Sequence, residues 1–344
     1  MSEQKAKPMM TGIGVHLPDD WQCDRRETST LWFKGQVPRE GLARLHARFR
    51  ESGELREGTE RVAAQLEGNF GIVMQGQGET IAVTDHCNSV PILLGEIDDG
   101  AVTVVGSSGS DLAGHLSLGT ESVRPDAALS VAMSGYTIGK DTLYRPIRMM
   151  PPGSVAVLRP GIAADVSSHH TYRPWAIREQ DRGHVKSSLI DELGSLIERL
   201  IASTDGRPIV VPLSAGLDSR LVAAGLKEFG YRDARCFSYG LRGNHEAETS
   251  RHIAEQLGYE WAFVPYSIGR QRDAFAGGDH KAFVAACDHY AGVHFEQEYL
   301  ALRDLRDKNW IPEGAIFVNG QSGDFITGNH IPAAFHGGAS NGAG

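Results

Sequence analysis

The chain has 344 residues and a formal net charge of −9 at pH 7, so it is long enough for about two domains, each with its own core. An acidic chain lacks the basic surface of nucleic-acid-binding proteins, and no apolar run approaches the roughly 18 residues of a membrane span, so we expect neither kind of partner. The first residues lack the apolar core of a signal peptide and the four cysteines form no CxxC pair, a pattern typical of a reduced, cytoplasmic protein.

The first half of the chain has the pattern of antiparallel sheets. Apolar and polar residues alternate in short runs separated by Gly, Asn and Asp: GIGVHL, TLWFKG, FGIVMQ, TIAVTD, AVTVVG and SVAVLR. Alternation with period two and turn residues at this spacing predict two stacked antiparallel sheets. Helical periodicity interrupts them at 39–52 and 60–67, and we expect these helices on the outer faces of a first domain, residues 1–170.

The pattern changes after residue 170. Residues 171–184 carry a proline and no periodicity, which favours a linker. A helix at about 186–203 is then followed by strand, helix, strand, helix and strand, in PIVVPL, DSRLVAAGLKEF, ARCFSYG, EAETSRHIAEQLG and EWAFVPY. This alternation predicts a parallel, doubly wound sheet in a second domain, residues 185–344.

The first strand-to-helix turn of the second domain has the sequence Ser-Ala-Gly-Leu-Asp-Ser, residues 214–219. Ligands of doubly wound sheets bind beyond the carboxyl ends of the strands, where such turns lie. Small residues allow close backbone approach, and the free N–H groups at the start of a helix favour an anion. The turn is not a Walker A loop, since it has no lysine. Asp218 in such a turn indicates Mg²⁺ between the carboxylate and phosphate oxygens.

This turn resembles the SGGxDS pyrophosphate-binding loop of the ATP pyrophosphatases, the adenine-nucleotide α-hydrolase superfamily, with Ala215 in place of the second glycine. The following unit, CFSYGLRGNHEAETSRHIAEQLGYEW, resembles the second strand and helix of the asparagine-synthetase branch. The segment NGQSGDFITGN resembles the second phosphate motif of that branch, a Gly-rich turn that ends in an acid.

The first half resembles the same family. LEGNFGIVMQGQGETIAVTDHCNSVPILL is similar to the central strands of its glutaminase-like domain, and SGYTIGKDTLYRPIRMMPPGSVAVLRPG is similar to the junction before the synthetase domain. Over residues 11–330 the chain therefore resembles class B asparagine synthetase and its relative β-lactam synthetase. The resemblance implies α+β plus α/β architecture: an Ntn-hydrolase-like αββα sandwich followed by an ATP-pyrophosphatase domain.

The resemblance also implies a set of site residues. Asp218 and Asp324 match the Mg²⁺ ligands of the family and would be the catalytic acids. ATP and Mg²⁺ are the implied cofactors. The residues implied in ATP binding are Leu213, Ser214, Ala215, Gly216, Leu217, Asp218, Ser219, Phe237, Ser238, Tyr239, Gly320, Ser322 and Gly323.

The sequence departs from the family where glutamine would be hydrolysed. A working glutaminase domain of this type begins with a catalytic cysteine directly after the initiator Met. Here Thr11 stands before GIG with a further segment in front of it, and Lys34-Gly35 replaces the family's Asn-Gly turn. The acid that would hold the glutamine amino group has no counterpart near REGTERVAAQ. These losses favour a retained scaffold without amidase chemistry, as in β-lactam synthetase.

Two further departures concern the synthetase domain. Gln321 stands where the second motif of the family carries an ionisable residue, and Gln cannot act as a general base. Family members also continue well beyond the second motif, whereas this sequence ends at Gly344. We therefore expect either a fragment or a shortened relative with an incomplete pocket.

The sequence thus predicts an ATP-dependent, AMP-forming amide ligase that adenylates a carboxylate of a small molecule or peptide, which an amine then attacks. A glutamine-hydrolysing asparagine synthetase, an intramolecular ring-closing ligase (of β-lactam or lasso-peptide type) and a nucleotide-binding pseudoenzyme stay open as alternatives. A homodimer is left open.

Two histidine-containing stretches receive structural interpretations. His169-His170 lies near the linker without a partner at metal spacing, which favours a solvated pair. Asp85-His86-Cys87 alternates across a strand and is interpreted as a strand end rather than a dyad.

Overall fold

The computed structural model describes residues 12–50, 55–96, 101–173, 181–321 and 323. The chain divides into two compact units. The first unit contains Met1–Ala176 and Gly278–His294, and the second contains Ile177–Gly277 and Phe295–Gly344. No helix of the described residues is long and apolar enough to cross a membrane.

The first unit contains two β-sheets. Its strands are β1 (Gly14–His16), β2 (Gln22–Arg25), β3 (Ser29–Gln36), β4 (Asn69–Gly76), β5 (Glu79–Thr84), β6 (Leu93–Glu96), β7 (Val102–Gly106), β8 (Ile147–Met149), β9 (Ser154–Leu158) and β10 (Asp165–Ser168). Its helices in the first half of the chain are α1 (Arg39–Arg50), α2 (Leu55–Ala63), α3 (Gly109–His115) and α4 (Pro125–Ser134).

The larger sheet has the order β10-β9-β5-β4-β3-β2 and is antiparallel throughout. Its β4–β5 hairpin turns at Gln77-Gly78, both with positive φ, as the twist-compatible two-residue turn requires. The smaller sheet has the order β1-β7-β6-β8. Its β1–β7 pair is parallel, which the sequence pattern did not reveal, because alternation reports the buried face and not the strand direction.

The two sheets face each other and carry helices on their outer sides. One apolar cluster joins Val73 and Ala82 of the larger sheet to Leu94 and Val105 of the smaller sheet. A second cluster lies between the larger sheet and α1 with α2, and a third packs α3 on the smaller sheet. The stacked sheets with outer helices predicted for this part of the chain are confirmed for the described residues.

The second unit is built on a parallel sheet. Its elements are α5 (Arg182–Ser203), β11 (Ile209–Pro212), α6 (Leu217–Glu228), β12 (Ala234–Gly240), α7 (His245–Leu257), β13 (Glu260–Pro265), α8 (Ile268–Phe275), α10 (Tyr299–Asp307) and β14 (Ile316–Phe317); α9 (Gly278–Cys287) belongs to the first unit. The sheet order is β13-β12-β11-β14, with all pairs parallel.

Both faces of this sheet are covered by helices. Ala223 of α6 and Ala254 of α7 pack on one face, while Ala301 and Leu305 of α10 pack on the other. The parallel sheet predicted from the change of period is therefore confirmed. Its assignment to the ATP-pyrophosphatase class stays a prediction.

Residues 278–294 pack with the first unit although they follow the strands of the second in sequence. The backbone N–H of Gly109 donates to the Asp288 carbonyl (2.8 Å), and the N–H of Leu143 donates to the Tyr290 carbonyl (2.7 Å). A Cβ on Gly109 would lie 2.7 Å from Cδ2 of Tyr290, so this close approach requires glycine. Nothing in the local periodicity of 278–294 indicates this location.

The prediction of a solvated histidine pair holds for only one of the two: His170 is exposed, whereas His169 is half-buried. The rings of His86 and His170 stack with centroids 3.9 Å apart, and Nε2 of His169 lies 2.9 Å from the Thr84 carbonyl oxygen. The prediction failed for His169 because the chain returns beside the end of β5, where Thr84 lies. The strand-end interpretation of Asp85 is confirmed, since its buried carboxylate accepts hydrogen bonds from the backbone N–H groups beyond β5.

Candidate functional site

The candidate site begins at the turn between β11 and α6. The hydroxyl oxygens of Ser214 and Ser219 are 3.0 Å apart, and the backbone N–H of Ser214 donates to Oγ of Ser219 (3.1 Å). The N–H of Gly216 donates to Oγ of Ser214 (3.1 Å). Gly216 is the N-cap of α6, and this cap makes no side-chain hydrogen bond. The start of α6 therefore leaves N–H groups for a ligand, and the two serines fix the shape of the turn.

Leu217 and Ala215 contribute backbone rather than side chain to this turn. The Leu217 side chain is 74% exposed, so the core does not hold it. The Ala215 carbonyl accepts a hydrogen bond from Nη2 of Arg220 (2.9 Å), so this oxygen already has a partner within the protein. A turn built in this way presents N–H donors and hydroxyls to an anion.

The second Gly-rich turn lies directly against the first. Strand β14 pairs with β11, and the N–H of Val318 donates to the Val210 carbonyl (3.0 Å), so both turns leave neighbouring strands at the same edge of the sheet. A Cβ on Gly320 would lie 2.6 Å from the carbonyl carbon of Asp218, and a Cβ on Gly323 would lie 2.7 Å from Cβ of Asp218. The two glycines thus allow the second turn to contact Asp218.

Asp324 and Ser322 lie outside the described residues. The predicted pairing of Asp218 with Asp324 through a metal therefore stays a prediction. Within the described part of the chain, no group of three or more His, Cys, Asp or Glu residues could hold a metal ion. Gln321 is exposed, and its N–H donates to Oδ1 of Asn319 (3.3 Å).

Three of the residues predicted to bind ATP have buried side chains. Phe237 is fully buried, and its carbonyl accepts from the N–H of Leu213 (2.9 Å), itself 2% exposed. Oγ of Ser238 donates to the Leu213 carbonyl and lies against Oγ of Ser250. Any contact of Phe237 or Ser238 with a nucleotide would have to come from the backbone, and their role in binding stays a prediction.

A cavity of about 580 Å³ opens beyond the carboxyl ends of β12 and β13. Its aromatic wall includes Tyr239 and Tyr266, whose rings stack with centroids 5.1 Å apart. Of the described residues that line it, two are Glu and none is Lys or Arg. The lining residues are Tyr239, Gly240, Leu241, Asn244, His245, Glu246, Tyr266, Gln271, Phe275, Glu296, Gln297 and Leu300.

Burial controls the protonation of the groups around this cavity. Burial raises the pKa of the Glu298 carboxyl, and burial followed by the nearby charge of Glu298 raises the pKa of Tyr239. Burial likewise raises the pKa of Tyr266 to about 12. The tyrosines are neutral near pH 7, and the carboxyl whose pKa is raised lies close enough to them to affect the pKa of both.

Sequence reasoning found Tyr239 but missed most of the cavity. Tyr266 follows β13, Gln271 and Phe275 lie on α8, and Gln297 precedes α10. They share no motif, and only the packing of α8 and α10 beside the strand ends brings them together. A search for aromatic residues directly after parallel strands would have found Tyr266.

The comparison with protein families matches mainly residues of the second unit. Residues 195–293 match the family model described as asparagine synthase. A 7-cyano-7-deazaguanine synthase from Polynucleobacter asymbioticus is 37% identical over 70 residues, which cover 20% of this chain and 28% of that protein. The chain thus spans little more than a quarter of the length of this curated relative.

Two solved structures are similar to larger parts of the chain. The glutamine phosphoribosylpyrophosphate amidotransferase from B. subtilis, complexed with ADP and GMP, is 11% identical with a TM-score of 0.25, over 74% of this chain and 52% of that one. A structure described as the allosteric regulatory enzyme of purine biosynthesis is 13% identical with a TM-score of 0.29, over 87% and 70%. At such scores neither likeness carries an argument about the fold.

Proposed function

We propose that the protein is an ATP-dependent, AMP-forming amide ligase of the asparagine-synthetase type, which adenylates a substrate carboxylate. One observation carries the proposal: the glycines of the second turn lie against Asp218 and Ser219 of the first turn. Two anion-binding turns at the end of adjacent parallel strands form a site for a triphosphate. The asparagine synthase match over 195–293 supports the same class.

In this proposal the pyrophosphate moiety rests on the turn between β11 and α6. The N–H groups at the start of α6 and the hydroxyls of Ser214 and Ser219 donate to its oxygens. The adenine lies against the backbone of Leu213 and of Phe237–Tyr239. Buried, closely bonded backbone is suited to this role, because it holds its shape without a ligand.

Mg²⁺ fits the oxygen donors of this site. The Asp218 carboxylate lies beside the second turn, and a hard cation takes one or two carboxylates together with phosphate oxygens. Asp218 and Asp324 would hold the metal. When bound, Mg²⁺ would neutralise negative charge on the pyrophosphate leaving group. The substrate carboxylate attacks the α-phosphorus and pyrophosphate leaves.

The cavity beyond β12 and β13 is the proposed position of the acyl substrate. Its volume of about 580 Å³ suits a small molecule or the end of a peptide. An amine then displaces AMP from the acyl-adenylate and must lose a proton. Gln321 cannot accept it, whereas Glu298, whose pKa burial raises, lies near Tyr239 and Tyr266 and is the proposed base.

A ring-closing ligase is the second candidate, and one contact favours it over a glutamine-dependent enzyme. Nζ of Lys34, in the position of the family's Asn-Gly turn, forms an ion pair with Oδ2 of Asp20 (2.5 Å). A paired lysine cannot provide the amide donor of an Asn side chain. Thr11 lies outside the described residues. We propose that the amine in this reaction comes from a source other than glutamine.

Asp218→Asn is the variant that tests the proposal. It keeps the shape of the turn and removes its charge, so Mg·ATP affinity should fall by about 1–3 kcal/mol. Calorimetric titration with ATP, with and without Mg²⁺, measures the effect. Asp233→Asn, an exposed acid at the opposite end of β12, is the control and should bind as the wild type does.

A turnover assay completes the test. The wild-type protein is incubated with Mg·ATP and a panel of amino acids, and the nucleotide and phosphate products are separated. AMP with pyrophosphate is the expected product pair. ADP with phosphate, or ATP binding that is indifferent to both Mg²⁺ and Asp218→Asn, would contradict the proposal.

A further inference from the structure

A second cavity, of about 290 Å³, lies in the first unit and is lined by Arg124, Asp126, Arg145 and Arg148. The arginines come from separate places: Arg124 is the N-cap of α4, Arg145 precedes β8, and Arg148 lies within β8. No sequence motif groups these residues. The proposed ligase chemistry uses none of them.

The backbone brings Arg124 and Arg145 together. An isolated antiparallel bridge joins Val123 to Tyr144. On either side of it, the N–H of Arg124 donates to the Leu143 carbonyl (2.8 Å), and the N–H of Arg145 donates to the Ser122 carbonyl (3.0 Å). Because these are main-chain contacts, the two arginines stay adjacent whatever their side chains bind.

A single carboxylate holds two of the guanidinium groups side by side. Oδ1 of Asp141 accepts from Nη1 of Arg124 (2.9 Å) and also from Nη1 of Arg148. The side chains of Arg124 and Arg148 are only 20% and 25% exposed. The Asp141 carboxylate between them thus holds two like charges close together in partly desolvated positions.

Arg145 is the arginine of this cavity that has no ion pair among the described residues. Its side chain is exposed, and no described carboxylate forms an ion pair with it. Three Arg and one Asp line the cavity, and two carboxylates that are not among the lining residues, Asp141 and Glu96, pair with Arg124 and Arg148. Asp126 is 70% exposed and occupies Nε and Nη2 of Arg124.

We propose that this cavity is a binding site for a phosphate dianion, either free or carried by a small phosphate monoester. Guanidinium groups approaching from separate segments suit the several oxygens of a tetrahedral anion better than a planar carboxylate. Arg145 and Arg148 donate hydrogen bonds to the anion. Arg124 also donates to the anion once its ion pair with Asp126 is broken. The site is independent of the nucleotide site and needs no metal.

Two variants with opposite expected effects test this site. Arg145→Gln removes the unpaired charge and should weaken phosphate binding by about tenfold. Asp126→Asn frees Arg124 from its carboxylate and should tighten binding. Arg25→Gln, which changes an exposed arginine on β2, is the matched control and should have no effect.

The measurement is calorimetric titration of the whole chain with inorganic phosphate and, separately, with glycerol 3-phosphate. Sodium chloride keeps the ionic strength constant, and Mg²⁺ and nucleotide are left out. Saturable binding that Arg145→Gln weakens and Asp126→Asn strengthens supports the site, and tighter binding of the monoester identifies it as the preferred form. Equal binding by wild type and Arg145→Gln, an equal loss in Arg25→Gln, or weaker binding by Asp126→Asn overturns it.

Discussion

At the scale of single residues, the candidate site depends on two glycines, which have no side chain to keep the two turns apart. Gly320 and Gly323 allow the second turn to lie on Asp218, and Ser214 and Ser219 hold the first turn in shape. The resemblance to the asparagine-synthetase family predicted all of these residues as part of the site. It could not show that the glycines touch Asp218, since that contact joins segments about one hundred positions apart in the chain.

Gly320→Ala tests this contact. The new Cβ would lie 2.6 Å from the backbone carbon of Asp218, so a turn must move. We expect the unfolding free energy to fall by about 1–3 kcal/mol, the usual cost of overpacking, with a parallel loss of ATP affinity. Chemical denaturation and ATP titration measure the two effects.

Gly269→Ala provides the control for this substitution. Gly269 lies in α8 with nothing within 4 Å of the added methyl group, so the change should be neutral or stabilise by about 0.4–1 kcal/mol. Equal stability losses in the two variants would show that Gly320 does not pack as the structure has it.

At the scale of elements, periodicity predicted six of the ten strands and two of the four helices that the structure describes before residue 170, and it missed β6, β8, α3 and α4. The runs TLWFKG, FGIVMQ and TIAVTD correspond to β3, β4 and β5. The short edge strands β2 and β10 were missed, because exposed edge strands carry no buried stripe. Helix α10 begins at Tyr299, and Glu298 is its N-cap.

The start of α10 is capped by a residue from another element. Glu298 makes no side-chain cap, and instead the Tyr266 hydroxyl accepts from the N–H of Ala301 (3.1 Å) and donates to the Gln297 carbonyl (2.8 Å). Tyr266→Phe removes both bonds at a partly buried helix start. We expect it to lower the unfolding free energy by about 1–2 kcal/mol, measured by denaturation in urea.

Tyr136→Phe is the comparison for Tyr266, because Tyr136 is 60% exposed. It should leave the denaturation midpoint unchanged. A Tyr266→Phe protein as stable as the Tyr136→Phe protein would contradict the capping role.

At the scale of the whole molecule, the first unit contains several histidines whose pKa is lowered by burial. Burial is the largest cause for His16, His86, His169 and His289. The folded state therefore binds fewer protons than the unfolded state, and acidification through the ordinary histidine range favours unfolding. The stability that these neutral imidazoles support is present above pH 7 and is lost as the pH falls toward 5.

His169→Gln should reduce this pH dependence. It removes a group that takes up a proton on unfolding, so the difference in unfolding free energy between pH 7.5 and 5.5 should shrink. The measurement is urea denaturation at several pH values. His252→Gln, a change on the exposed side of α7, should keep the wild-type slope. A His169→Gln protein with the unchanged slope would show that His169 is protonated equally in both states.

The sequence by itself predicted stacked sheets for the first half of the chain, a parallel sheet for the second half, and two candidate phosphate-binding turns. Periodicity records which face of an element is buried, and parallel strands place their following turns at one edge, so Asp218 and Gly320 could be assigned to one site without coordinates. Only the tertiary structure placed residues 278–294 in the first unit, lined the large cavity with Tyr266 and Phe275, and brought Arg124, Arg145 and Arg148 into one cavity. Such groupings depend on how distant segments pack, and no local pattern of residues encodes that packing.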